Sequence, residues 1–211
     1  MGTTSNFYMR GYDSKQVLVL IDGVRYSSVS LGSPSLNLLS ADQIDRIEIL
    51  YGASGSSLYG SDAMGGVIQI FTKGNSVDQS NVSATVGYGS NNHYQVGVTG
   101  QLKNDTSSMS LGVSRNETDG FNAIANRNSF DYNPDDDGFE STNVSLALQH
   151  KFTNALSAGI SGLYSDSKTE FDSAGEVIPY AYSDQKNGSA NAYLQYKTPL
   201  TLTKLSYGQS I

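Results

Sequence analysis

Three consecutive carboxylates, Asp135, Asp136 and Asp137, stand in the stretch DYNPDDDGF, behind Pro134 and ahead of Gly138. Adjacent like charges are favourable when water or a cation neutralises them, and calcium takes about six to eight oxygens from carboxylates, amide carbonyls and water. In an extended run Asp135 and Asp137 share one side and Asp136 points away. The run opens like an EF-hand loop, with Asn133, Asp135, Asp137 and Gly138 at the first, third, fifth and sixth positions. The twelfth position, where a glutamate should close the loop, is Val144 inside a strand-like segment. An EF-hand is therefore excluded, and a cation here needs ligands from elsewhere in the chain. The competing reading is an acidic loop that is simply solvated.

Twelve of the twenty acidic residues fall within 116–141 and 165–186, opposed there by Arg127, Lys168 and Lys186. Other chemistry is poorly supplied. His93 and His150 stand alone at strand ends, there is no G-x-S-x-G or H-E-x-x-H motif, and GSDAMGGV lacks the Lys-Ser/Thr of a phosphate loop. No enzyme activity is expected. The net charge of −7 argues against nucleic acid, whose affinity rests on Lys and Arg neutralising phosphates. The absence of cysteine excludes disulfides and thiolate zinc sites.

The elements that must position these acids use two grammars. Over 1–74 the segments are short and mixed. VLVLI at 17–21 reads as a buried strand, Asp22-Gly23 as a hairpin turn returning through Val24-Arg25-Tyr26, and Val67 to Thr72 as another strand. Ser40 and Gln43 have capping-box spacing, which predicts a short helix over 41–45. From 81 onward the period is 2: Val82, Ala84, Val86 and Tyr88 alternate with Ser, Thr and Gly, and six further segments follow the same rule. The last, near 201–209, is the least regular, with Lys204 on the expected apolar face.

The connections alternate in kind. Asn104-Asp105, Thr153-Asn154 and Thr198-Pro199 read as tight turns, whereas 116–141 and 165–186 read as long loops. Strands of roughly 9 to 11 residues with one apolar and one polar face, short turns at one end and long loops at the other, form the pattern of a bacterial outer-membrane β-barrel. A soluble β-sandwich alternates as well but needs no such asymmetry of loop length. Tyr88, Phe152, Tyr164 and Tyr196 lie near strand ends, where aromatic girdles meet lipid headgroups. The start, MGTTSNFYMRG, shows no signal-peptide pattern, and no apolar run is long enough for a transmembrane helix.

The segments FYMRGYDSKQVLVLIDGVRY and LLSADQIDRIEILYGASGSSLYGSDAMGGVIQIFTKG resemble the plug domain of TonB-dependent outer-membrane receptors. The likeness rests on Arg10-Gly11, the LIDGV hairpin, the IDRIEIL strand, the SLYGSDAMGGVIQIFTK segment and a β-barrel pattern starting directly afterwards. It implies a plug inside a barrel of about 22 strands, and import of nutrients such as iron chelates and cobalamin, driven by the TonB complex. Within the family, VGYGSNNHYQVGV, DGFNAIAN and DDDGFESTNVSLALQHKFTNALSAGISGLYSDSKTEFD are most similar to the cobalamin (vitamin B12) transporters. That resemblance implies calcium-ordered extracellular loops and carries the calcium ligands onto Asp135, Asp137 and Asp172.

This sequence departs from the pattern in three respects. Asn122 stands where the cobalamin transporters have an aspartate, and Tyr51-Gly52 replaces an arginine-glycine. The third departure is length, since about seven strands are present. The expectation is a β fold: the C-terminal part of a plug over 1–74 with some α+β character, then the first strands of a transmembrane antiparallel barrel over 75–211, together a truncated receptor piece. The expected partners are cobalamin or another metal-chelate nutrient, outer-membrane lipid and the TonB complex. A siderophore or haem receptor, and a soluble calcium-binding β-rich module, are the alternatives.

Overall fold

The computed structural model describes residues 7–26, 34, 36, 39, 41–52, 54–74, 77–122, 124, 134–172 and 181–210. The aliphatic run Val17–Ile21 forms strand β1, and all five residues are buried. Such a run suits a strand covered on both faces. It pairs antiparallel with β2 (Val24–Arg25) through the Asp22-Gly23 turn and parallel with β4 (Gly66–Thr72). Parallel neighbours need a crossover, and it includes β3 (Ile44–Tyr51), which pairs antiparallel on the far side of β4, and helix α1 (Ser54–Tyr59). The order is β2-β1-β4-β3.

Alternation divides the apolar side chains between two clusters. Leu18 and Leu20 pack with Ala63 and Val67, while Val19 and Ile21 pack with Tyr26 and Ile70. Asp22 and Gly23 have φ of 51° and 84°, the left-handed pair that a two-residue hairpin turn requires. Asp22 is held there because Thr72 donates to its carboxylate from N–H at 2.9 Å and from Oγ1 at 2.6 Å. The helix expected over 41–45 is a single 3-10 turn, Ala41–Gln43, because β3 already begins at Ile44; its proposed cap, Ser40, lies outside the described residues.

The second sheet has seven strands in sequence order: β5 (Asn81–Tyr88), β6 (Tyr94–Lys103), β7 (Ser107–Phe121), β8 (Asp137–Lys151), β9 (Leu156–Phe171), β10 (Ala181–Lys197) and β11 (Leu202–Ser210). Every neighbouring pair is antiparallel. The sheet is open, with β5 and β11 at its edges among the described residues. Its polarity is inverted relative to a soluble sandwich. Val82 and Val86 are 77% and 81% exposed, whereas Ser110, Ser114 and Asn143 on the other face are 3%, 4% and 2% exposed. One face is thus apolar and uncovered, and the polar face is buried beneath the first sheet.

Two expectations change. The long loops at 116–141 and 165–186 are strand over 116–121, 137–141, 165–171 and 181–186, so β7 to β10 run to 15, 15, 16 and 17 residues. The apolar period stops before the ladder does, because beyond the apolar band both faces carry polar side chains. Lys204 is not on the apolar face. It opposes Gln195, which puts it on the polar side with its ammonium 4.5 Å from the Tyr193 ring centroid, while Leu205 and Tyr207 take the apolar side.

The Asp22 carboxylate closes the turn against β4, so its loss should loosen both. Asp22→Ala is expected to lower the stability of the first sheet by about 1–3 kcal/mol, since it strands buried donors on Thr72. Asp22→Asn, which keeps an acceptor, should cost less than half as much. Urea titrations of the two variants, followed by limited proteolysis within 17–72, measure the difference.

Candidate functional site

The first sheet lies on the polar face of the second, and polar contacts join them. Asn191 of β10 donates from Nδ2 to the Asp22 carbonyl at 3.1 Å, and Gln101 of β6 donates from Nε2 to the Lys73 carbonyl at 2.6 Å. Gly74 passes so near Ala147 and Ser110 that an added Cβ would clash with Ala147, and Gly208 is similarly crowded by Val24. Leu163 is an apolar contact from the wall to the cluster around Ile21. Tyr26, buried at that contact, has its hydroxyl pushed up to about 12 by burial. Gln43 Nε2, Ser114 Oγ and Asn143 Oδ1 are buried without a hydrogen-bond partner among the described residues. The seam therefore retains unused hydrogen-bonding capacity.

At the loop end the uncovered face changes from apolar to ionic. Directly opposed residues form rows across the sheet, and Leu102, Met109, Leu148, Ile160, Ala192 and Tyr207 make one apolar row. Further up, Val96, Arg115, Thr142, Asp166 and Lys186 form a row, followed by Tyr94, Glu117, Glu140, Lys168 and Asp184. Glu117 and Glu140 are directly opposed, a repulsive placement. Arg115 resolves it by donating from Nη2 to Glu117 at 2.7 Å and to Glu140 at 2.8 Å. The Tyr94 hydroxyl also donates to Glu117, Lys168 pairs with Glu170 at 2.9 Å, and Lys186 with Asp166 at 3.6 Å. A cavity of about 510 Å³ opens among these rows, lined by Glu117, Asp119, Asp136, Glu140, Lys168 and Glu170.

The carboxylates singled out in the sequence gather near this end. Asp137 begins β8 and pairs with Phe121, and Asp172 directly follows β9. The β8–β9 ladder ends at the Phe139–Thr169 pair, so both acids lie just beyond it on neighbouring strands. Asp136 turns aside, and its Oδ1 accepts from the Asn122 N–H at 3.2 Å. Asn122 is itself engaged, its Oδ1 accepting from the Ile124 N–H at 2.9 Å. Asp135 Oδ1 is buried without a hydrogen-bond partner among the described residues. No group of three acidic or histidine side chains converges on a metal position among the described residues.

Both histidines have local partners. His93 Nε2 lies 2.8 Å from Asn116 Oδ1, and His150 Nδ1 lies 2.8 Å from Ser107 Oγ with its ring edge-on to Phe152. Arg115 was not among the expected site residues, although its two-residue spacing from Glu117, on one strand face, carried the signal.

Residues 1–67 match the TonB-dependent Receptor Plug Domain family. The siderophore receptor PirA of Acinetobacter baumannii superimposes with a TM-score of 0.78 at 20% identity, over 95% of this chain and 32% of that receptor. The ferric enterobactin receptor PfeA of Pseudomonas aeruginosa gives 0.71 at 18% identity over 95% and 34%. The ferric yersiniabactin uptake receptor FyuA of Yersinia pestis gives 0.66 at 16% over 92% and 32%. This chain thus spans about a third of the length of these receptors. Its fold is that of a plug sheet set against an open part of a receptor β-barrel, and its place is the outer membrane of a Gram-negative bacterium. Neither the plug domain nor these receptors are enzymes.

Arg115→Ala leaves Glu117 and Glu140 facing each other without their shared cation. Because all three side chains are well exposed, the cost should be about 0.5–1 kcal/mol. Hydrogen exchange should quicken over 115–121 and 137–141, and adding Glu140→Gln should restore most of the protection.

Proposed function

We propose that this chain is the region of a TonB-dependent receptor in which plug meets barrel wall, with the plug over 1–74 and barrel strands over 75–211, and that the receptor imports a metal-chelate nutrient. The observation that carries this reading is the inverted sheet: an apolar face suited to lipid outside, and a polar face occupied by the matched plug inside. Cargo would bind at the loop end, and the TonB complex would displace the plug. The seam fits such displacement, because each polar contact exchanged for water costs only about 1 kcal/mol.

A ferric siderophore is supported by the receptors of similar fold, and cobalamin by the sequence likeness of the loops. Calorimetric titration of the full-length receptor with each chelate separates them. Submicromolar binding of one is expected, and binding of neither would remove the transport reading.

Calcium ordering of the loops rests on Asp135, Asp137 and Asp172. Burying a carboxylate oxygen without a partner is costly, and a cation at Asp135 Oδ1 would relieve that cost. Asp137 and Asp172, at adjacent strand ends, would supply further oxygens, and the ion would neutralise charge that otherwise drives the loops apart. Calcium should slow proteolysis within 116–141 and 165–186, and replacing the three aspartates with Ala should abolish that response. An equal response in the variant would eliminate the site.

A further inference from the structure

The outward apolar face is hollowed toward its turn end. Two neighbouring rows border a groove of about 860 Å³: the apolar row from Leu102 to Tyr207, and beside it Ser107, His150, Ala158, Leu194 and Leu205. Ala158 and Ala192 are its smallest outward side chains, diagonal neighbours on β9 and β10, and Leu148, Ile160, Leu194 and Tyr207 stand around them. Its volume falls within the range of small-molecule sites, about 300–1,000 Å³.

The groups that can meet a headgroup lie on the turn-end margin of the groove. Two of its polar side chains are already engaged with backbone: Asn104 Oδ1 accepts from the Ser107 N–H at 2.6 Å, and Ser80 Oγ from the Lys103 N–H at 2.9 Å. The His150 ring is fixed by Ser107 Oγ and lies edge-on to Phe152. Lys103, the last residue of β6, starts from the inward row, but its side chain borders the groove, and it takes part in no ion pair among the described residues. No carboxylate lines the groove among the described residues, while Asp78 and Asp105 line a separate, smaller cavity that Lys103 also borders.

We propose that this groove holds an individual glycerophospholipid of the leaflet at the turn end, with its acyl chains along the apolar rows and its phosphate at Lys103 and His150. In barrels of this kind the short turns face the periplasm, so that leaflet is the inner one of the outer membrane. The groove crosses β6 to β11, roughly 24 Å at the usual strand spacing, and one leaflet's share of the hydrocarbon core is about 15 Å. Strands tilted by about 45° incline the rows to the bilayer normal, so a chain standing in its leaflet can follow them. Lipid tails are as apolar as leucine, and entering the groove therefore gains no hydrophobic free energy over the bulk bilayer. Selectivity must come from packing, since side chains around the two alanines touch a chain on several sides, and from the charge of the margin.

This inference rests on the outward face being the lipid face, and its test separates the two. The full-length receptor is reconstituted in nanodiscs containing phosphatidylethanolamine with a diazirine in its acyl chain, illuminated, and its labelled residues are mapped by mass spectrometry. Leu148, Ile160, Ala192 and Leu194 are expected to be labelled about threefold or more above Val82, Val86, Val96 and Val98 of the same face, the size of one modest polar or packing contact. Ala158→Phe together with Ala192→Phe should level the difference, Lys103→Gln should lower it, and Ala84→Phe on β5 should leave it. Equal labelling along the whole face of the unsubstituted receptor overturns the proposal while leaving that face in contact with lipid. A dimer in the same nanodiscs that masks the groove residues from the probe also overturns it. Absence of label from the entire face refutes the groove and the lipid-facing reading together.

Discussion

A strand that crosses lipid finds no water for its N–H and C=O groups, so each must pair with a neighbouring strand. The second sheet obeys that constraint, with β6 to β10 laddered continuously over most of their lengths. Its register shift lies between Thr118 and Phe121, where Gly120 adopts φ of 75° and passes so close to the Asp137 carbonyl that no Cβ could be accommodated. That irregularity sits above the apolar rows, where water can satisfy the interrupted backbone. Backbone pairing therefore sets where the sheet is allowed to be imperfect.

The same constraint explains why the outer face changes composition while the ladder continues. Below the level of Arg115 the outward side chains are mainly aliphatic or aromatic; from that level upward most are charged, but the strands keep pairing up to Phe121 and Phe171. In water the aligned carboxylates Glu117 and Glu140 would splay the strand ends. Arg115 between them and Lys168 beside them let the extended sheet project beyond the bilayer without that repulsion. A hydrophobic period reports burial in lipid, not hydrogen bonding, so reading strand ends from it underestimated them.

The same distinction separates what was legible in the sequence from what was not. β1 could be read from VLVLI, and the turn from Asp-Gly, because both signals are local. The number and order of the later strands followed from alternation and turn residues. Lys204 was misplaced because its strand carries no consistent period, and only pairing with Gln195 decides its face. Alternation places Asp136 away from Asp135 and Asp137, and the members of the run do diverge: Asp136 bonds the Asn122 backbone and Asp137 enters the ladder. Their separation depends on where β8 begins, a tertiary fact that composition does not record.

The plug sheet keeps most of its apolar contacts to itself. Its aliphatic residues close on one another, Leu18 and Leu20 on Val67, Val19 and Ile21 on Ile70, so most of its apolar burial is internal. Leu163 is the wall's apolar contribution to those clusters among the described residues; beside it run the close approaches of Gly74 to Ala147 and of Gly208 to Val24, and hydrogen bonds through amides and backbone carbonyls. Pulling such a body across a polar wall exchanges hydrogen bonds with water instead of exposing a core. Polar groups left unsatisfied at the seam, such as Asn143 Oδ1, lower that cost further, because hydration on separation gains contacts absent at rest. A tightly packed apolar seam would hold the plug more firmly and would also resist its displacement. On the transport reading, the polar inner wall that lipid exclusion imposes on the barrel is the same surface that would let the plug move.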